Sequence, residues 1–269
     1  MSEYEIDVRT NKDLGTDTFV RDLLGAWCTE LDERIRPQFF DVGEPVRRSF
    51  EGEGVEAAIR TWVDGGMPLM LRRKDAPRFT VDINWRGHRG IDQRLFPWSC
   101  TVWLASGAGD KLAVQLLRFL IDHFEPAYGH CSTYDEHRSK HFVVYRDGAA
   151  QAEQYVGLDV GETLPGVYWV TYFGSWAIDK IGRTPFEDLA AHKVERIGEG
   201  YLVSAYSSAK EAGSARAREA EDRIIQHLGR KLFFDKRLID LDALKTDPKT
   251  SALVQAKLEE IKAKKGKDP

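Results

Sequence analysis

Cysteine is scarce in this chain of 269 residues, which holds only three. Cys28, Cys100 and Cys131 lie far apart, and no two of them form a Cys-x-x-Cys pair. An odd number of widely spaced cysteines does not make a disulfide framework, and the pattern is typical of buried free thiols in a reducing compartment. The sequence therefore predicts a cytoplasmic protein without disulfides.

Long apolar runs are also missing. The most apolar segment, residues 112–124, is interrupted by four polar side chains, whereas a membrane-spanning helix needs about 20 consecutive apolar residues. The first seven residues are polar and acidic, unlike the basic and then apolar start of a secretory signal. We therefore expect no membrane partner and no signal peptide.

The chain also lacks a large excess of charge of either sign. The chain has 39 Lys and Arg against 43 Asp and Glu, a net charge of −4, whereas a nucleic-acid-binding domain is usually strongly basic. Residues 245–269 carry +3, so the rest of the chain carries −7. This balance argues against a nucleic-acid partner, and an acidic body suits a basic protein partner.

The common catalytic motifs are absent as well. There is no Gly-x-Ser-x-Gly nucleophile turn, no Gly-Lys-Ser/Thr phosphate loop and no His-Glu-x-x-His zinc motif. The glycine-rich turn Ser106–Asp110 lacks the third glycine of a dinucleotide-binding loop, because Leu112 occupies that position. We interpret it as a turn that starts a helix, and predict no catalytic and no cofactor-binding residue.

Among the residue types that bind metals, histidine is the one that is concentrated in a single segment of the sequence. Four of the seven histidines lie between residues 123 and 141. His137 and His141 are four residues apart, which places both on one face of a helix at a spacing that zinc ligands use. Arg138 and Lys140 stand between them and disfavour a dication. We interpret these histidines as structural and predict no metal, with a site at His137 and His141 as the alternative.

Hydrophobic periodicity predicts both helices and strands. The segments at residues 126–141 and 146–164 show no clear period. Predicted helices cover residues 17–35, 55–63, 110–124, 176–181 and 214–228, and predicted strands cover residues 79–85, 99–105, 142–145, 167–173, 194–197, 201–206 and 231–234.

This order of elements predicts an α+β fold, with a mostly antiparallel sheet covered by helices. Two similar helix–strand–strand–helix halves, residues 1–160 and 161–240, are expected to pack as one globular unit. Residues 241–269 are expected to form a basic tail helix.

One segment carries a family resemblance. Leu164–Gly182 has a proline–glycine start, an aromatic strand that ends in Phe-Gly, and a following Ile-Gly. In these features the segment resembles the immunity protein 52 family and the related type VI immunity family. Where those families commonly have proline or another small residue after Phe-Gly, this chain has Ser175-Trp176. The residues that carry the motif are Pro165, Gly166, Trp169, Tyr172, Phe173, Gly174 and Gly182.

The resemblance implies a bacterial immunity protein that binds a cognate secreted toxin and neutralises it by one-to-one masking, without catalysis. The motif residues would then be scaffold, and the toxin-contacting residues would lie elsewhere. The competing hypothesis is an enzyme that uses the region His130–His141, either as a metal-dependent hydrolase or to reverse the damage that the toxin causes.

Overall fold

The computed structural model of the chain describes residues 3–65, 68–85, 98–147, 150–158, 160–161 and 163–240. The predicted tail helix at 241–269 lies outside the described residues. Twelve strands and seven α-helices are present in the described part. They are β1 (Tyr4–Thr10), α1 (Asp17–Thr29), β2 (Phe39–Asp41), β3 (Arg48–Ser49), α2 (Phe50–Gly65), β4 (Leu69–Arg73), β5 (Phe79–Trp85), β6 (Trp98–Leu104), α3 (Asp110–Phe124), β7 (Tyr128–Thr133), α4 (Tyr134–His141), β8 (Phe142–Asp147), β9 (Ala150–Tyr155), β10 (Val170–Phe173), α5 (Ser175–Ile181), α6 (Thr184–Glu187), β11 (Lys193–Ile197), β12 (Gly200–Ser204) and α7 (Ala215–Leu228).

Ten of these strands form one sheet in the order β11-β12-β10-β7-β1-β6-β5-β4-β2-β3. All of its neighbouring strands are antiparallel. The strands β8 and β9 pair with each other as a separate hairpin. The predicted α+β class with an antiparallel sheet and helices is therefore confirmed.

The central strand of the sheet is β1, which pairs with β6 on one side and β7 on the other. All seven of its residues are buried. Its sequence alternates apolar residues with Glu5, Asp7 and Arg9, and successive side chains of a strand point to opposite faces. The two faces of the sheet therefore differ in chemistry at its centre.

One side of the sheet, the helix face, carries Ile6 and Val8 of β1 and the apolar residues opposite them in β6. The helices α1 and α3 cover it. Trp27 of α1 lies between Phe79 of β5 and Phe119 of α3, with ring centroids 6.4 Å and 5.3 Å away. The buried indole of Trp27 donates a 2.8 Å hydrogen bond to the carbonyl oxygen of Ile35, so its one polar group is satisfied.

The other side, the histidine face, carries Glu5 and Asp7 of β1. His130 of β7 lies opposite Asp7 in the pairing of β1 with β7, and Thr171 of β10 lies opposite His130. Directly opposed residues of an antiparallel pair share a face, so these four side chains point to the same side. The helix α4 packs over this face against β1 and β7.

Several elements differ from the sequence-based expectation. The helix α1 ends at Thr29, and a short 3₁₀ turn at Glu33–Ile35 follows it. The segment 126–141, which shows no clear period in the sequence, contains β7 and α4. The predicted edge strand at residues 231–234 is wrong, because the chain there forms a 3₁₀ turn and a single bridge between Leu164 and Phe233. Among the described residues, none of the helices combines the length and the apolar character that crossing a membrane requires.

Candidate functional site

A buried ion cluster joins α4 to α7 on the histidine face. The ammonium of Lys140 donates to Glu136 Oε1 at 2.7 Å and to the carbonyl oxygen of Val167 at 2.6 Å, and lies 2.9 Å from Glu221 Oε2. The side chains of Glu136 and Glu221 are 2% and 9% exposed. One lysine therefore compensates two carboxylates that are almost out of contact with water.

Burial and the opposite charges together set the pKa values in this cluster. Burial alone would lower the pKa of Lys140, but the carboxylates of Glu136 and Glu221 outweigh it and hold that pKa above its ordinary value. Burial raises the pKa of Glu221 to about 7, and Lys140 opposes this shift. The two carboxylates compete for one ammonium, so Glu221 binds a proton more readily than an exposed glutamate.

The ion cluster forms part of the wall of a cleft of about 930 Å³. Residues from α4, from the segment 165–167, from α7 and from the segment 230–237 line it. Charged side chains of both signs surround it, including Arg218 and Asp222 of α7 and Lys236 of the C-terminal segment. A concave surface of this size, with charges at defined positions, suits a protruding group of a binding partner.

Three histidines lie between α4 and the sheet: His137 and His141 belong to α4, and His130 belongs to β7. His130, His137 and His141 are at most 5% exposed. The ring centroids of His130 and His137 are 5.5 Å apart, and those of His137 and His141 are 5.1 Å apart. Tyr168 stacks on His130 at 4.0 Å, and Tyr155 stacks on His137 at 5.5 Å. The histidines therefore belong to a continuous aromatic layer.

His141 has both ring nitrogens engaged. Its Nδ1 lies 2.6 Å from the carbonyl oxygen of Val156, which can only accept, so Nδ1 carries the proton. Its Nε2 then accepts from the hydroxyl of Tyr168 at 2.5 Å. Burial lowers the pKa of His141 to about 3, with a further contribution from His137. His141 is therefore a neutral structural histidine with no lone pair left for a metal in this arrangement.

His130 and His137 are placed differently. His137 Nδ1 lies 2.9 Å from Glu5 Oε1 of β1. Neither ring nitrogen of His130 has a hydrogen-bond partner among the described residues. Burial, reinforced by His137 and His141, holds the pKa of His130 well below its usual range. Glu5, His130 and His137 each offer one ligand atom, and these atoms lie within 4.8 Å of one another.

The motif residues of the segment 164–182 lie mostly in the core. Trp169, Tyr172 and Phe173 are at most 5% exposed, and Pro165 and Gly166 are buried beside the cleft. The backbone N–H of Trp169 donates to Glu136 Oε1 at 3.1 Å, and the hydroxyl of Tyr128 donates to the carbonyl oxygen of Gly166 at 2.8 Å. These contacts tie the motif to the ion cluster and to the sheet.

The two remaining motif residues are the glycines that follow the aromatic strand. A Cβ at Gly174 would lie 1.9 Å from the carbonyl oxygen of Pro126, so only glycine fits this close approach of two backbone segments. Gly182 ends α5 with φ = 87°, a conformation that side chains disfavour. Both positions are explained by backbone geometry.

Sequence reasoning missed Glu5, Glu136 and Glu221 as members of these clusters. A signal for α4 is present, because Thr133 and Glu136 form the Thr-x-x-Glu pattern of a capping box. The side chain of Thr133 accepts from the backbone N–H of Glu136 at 3.2 Å. Once residues 134–141 are recognised as a helix, Glu136 and Lys140 are expected to contact each other, because residues four positions apart are neighbours on a helix surface. The pairing with Glu221 is tertiary and has no local signal.

Comparison with known proteins shows similarity at the level of the fold. Neither a family model nor a curated protein matches the chain. A solved structure, described as Pseudomonas aeruginosa T6SS protein PA0821, aligns with a TM-score of 0.54 and 14% sequence identity. The alignment covers 86% of this chain and 76% of that one. At this identity the likeness shows a shared fold.

Proposed function

We propose that this chain is a bacterial immunity protein that acts in the cytoplasm and neutralises a cognate type VI or polymorphic toxin by one-to-one masking. The observation that carries the proposal is the fold, which the chain shares over 86% of its length with a T6SS protein. The resemblance of the segment 164–182 to immunity families supports it. The burial of the motif residues fits the expectation that they are scaffold, which leaves the surface for the toxin.

We place the toxin contact at the mouth of the cleft. Two of the exposed large apolar residues are next in sequence to residues that line it: Tyr134, 37% exposed, precedes Asp135, and Leu238, 83% exposed, follows Arg237. Protein interfaces combine an apolar centre with a charged rim. Arg218, Asp222 and the other charged residues that line the cleft would supply the charged part of such an interface.

Masking also fits the burial of the histidines better than catalysis does. A catalytic metal keeps one coordination position open to substrate, whereas Glu5, His130 and His137 are at most 6% exposed. The competing enzyme hypothesis needs a path from the cleft to this cluster. If the chain were an enzyme, far less than one chain per toxin molecule would protect the cell, because each chain would act repeatedly.

Leu238→Asp is expected to weaken the complex with the proposed cognate toxin by about tenfold or more. The leucine is 83% exposed, so its replacement removes apolar contact area from the interface and leaves the fold intact. The affinity is measured by isothermal titration calorimetry, and the melting temperature of the variant is compared with that of the unchanged protein.

Val63→Asp is the matched control. Val63 is 44% exposed and belongs to α2, which packs against β2 and β3 at the far edge of the sheet from β10. Its replacement is expected to leave the affinity unchanged. Equal affinities for the two variants would contradict the placement of the toxin at the cleft, and no binding by the unchanged protein would contradict the proposed function.

A further inference from the structure

The convergence of Glu5, His130 and His137 has no role in the toxin contact described above. The three residues come from β1, β7 and α4, which are distant in sequence. Their ligand atoms lie within 4.8 Å of one another. A tetrahedral zinc ion, with bonds of about 2.0–2.1 Å to nitrogen and oxygen, spaces its ligand atoms about 3.3 Å apart. Small side-chain rotations would therefore bring all three atoms to bonding distance.

The environment of His130 independently supports a ligand at this position. It is 2% exposed, and neither of its ring nitrogens has a hydrogen-bond partner among the described residues. A neutral imidazole always has one donor and one acceptor nitrogen, and an unsatisfied buried polar group destabilises the fold. A metal ion bound to the acceptor nitrogen would remove part of this deficit.

The charges around the cluster permit a dication. The nearby guanidinium of Arg9 is paired with Asp7, with Nε to Oδ2 at 2.7 Å. The ammonium of Lys140 is held by Glu136 and Glu221. These two cations are therefore compensated, and the carboxylate of Glu5 offsets part of the charge of an incoming ion.

We propose that Glu5, His130 and His137 form a buried structural site for one zinc ion, which fastens the central strand β1 and its neighbour β7 to the helix α4. Two imidazoles and one carboxylate are ligands that zinc commonly takes, and a water would complete a tetrahedral coordination. Because the three residues are at most 6% exposed, this fourth position is closed to a substrate, and the site is structural. The ion would stabilise the part of the fold that lies beside the cleft. This inference does not depend on the proposed function.

The test is the metal content of the untagged chain of 269 residues, purified without chelator and measured by plasma mass spectrometry. About one zinc per chain is expected. His130→Gln and Glu5→Gln are each expected to lose most of this zinc, whereas His192→Gln, at an exposed histidine, retains it. If the zinc were bound to surface histidines, His192→Gln would lose it while His130→Gln and Glu5→Gln retained it, and this result would contradict the proposal.

A second measurement on the unchanged protein guards against variants that fail to fold. Removal of the metal with a chelator is expected to lower the melting temperature by about 5 °C or more, and addition of Zn²⁺ to restore it. Addition of Co²⁺ instead should give the visible absorption of a tetrahedral site. Absence of zinc together with no thermal response to added Zn²⁺, or full retention of zinc by His130→Gln and Glu5→Gln, would overturn the proposal.

Discussion

Replacement of Gly174 by alanine is expected to lower the free energy of unfolding by about 3 kcal/mol or more. The added Cβ would lie 1.9 Å from the carbonyl oxygen of Pro126 and 3.0 Å from its carbonyl carbon. Both are backbone atoms, so no side-chain rotation relieves the clash. The N–H of Gly174 also donates to the carbonyl oxygen of Ala127 at 3.0 Å, and separation of the two segments would break this bond.

Urea unfolding, followed by tryptophan fluorescence, measures this effect. Gly25→Ala is the matched control, because Gly25 lies inside α1 and a Cβ there would meet no atom within 4 Å beyond its chain neighbours and the backbone of its own helix. Alanine favours a helix over glycine by up to about 1 kcal/mol, so this control is expected to be neutral or slightly stabilising. Similar stabilities for the two variants would refute the close approach at Gly174.

Replacement of Lys140 by methionine is expected to lower the free energy of unfolding by about 3–5 kcal/mol. Methionine keeps the length of the side chain but removes the ammonium, and Glu136 and Glu221 lose the cation that both contact. The carbonyl oxygen of Val167 loses its donor as well. Two buried carboxylates then face each other without a counter-charge.

Lys193→Met is the control for this prediction. Lys193 is 59% exposed, and its partner Glu195 also contacts Arg118. An exposed ion pair contributes at most about 1 kcal/mol, so the control should lose far less stability than Lys140→Met. The double variant Lys140→Met with Glu221→Gln should regain part of the loss, because one unpaired carboxylate is removed. A loss at Lys140 no greater than at Lys193 would contradict the buried ion cluster.

The α+β class of the fold was predictable from hydrophobic periodicity. The central strand of the sheet, β1, was not. Residues 79–85 and 110–124 follow periods of two and of 3.6 with a clear apolar face, and they form β5 and α3. The strand β1 also alternates, but its second face carries Glu5, Asp7 and Arg9. Alternation with charges is typical of a strand exposed on one side, whereas α4 and tertiary contacts bury this face.

The candidate site was less predictable, because its members come together only in the folded chain. The sequence singled out His137 and His141 by their spacing on a helix. In the structure, Val156 and Tyr168 engage both nitrogens of His141, while Glu5 and His130 approach His137 from the sheet. The pairing of β1 with β7 brings these residues together across more than 120 positions in sequence, and local patterns carry no information on such pairing.

The motif of the segment 164–182 has a structural explanation in its glycines and aromatic residues. The aromatic strand β10 lies between β7 and β12 in the sheet, and Gly174 follows it where the backbone passes Pro126. These features explain why the residues suit the fold, and they assign no partner. The proposed partner would be recognised by the surface, where we propose that Leu238, which is 83% exposed, and the charged cleft form the contact.

A titration of toxin activity with this chain tests the proposed one-to-one masking. A fixed concentration of the proposed cognate toxin, well above the dissociation constant, is mixed with increasing amounts of the chain. We predict that activity falls in a straight line and reaches zero at one chain per toxin, with a one-to-one complex observed by light scattering. Complete protection at far less than one chain per toxin, or no protection at any ratio, would contradict masking.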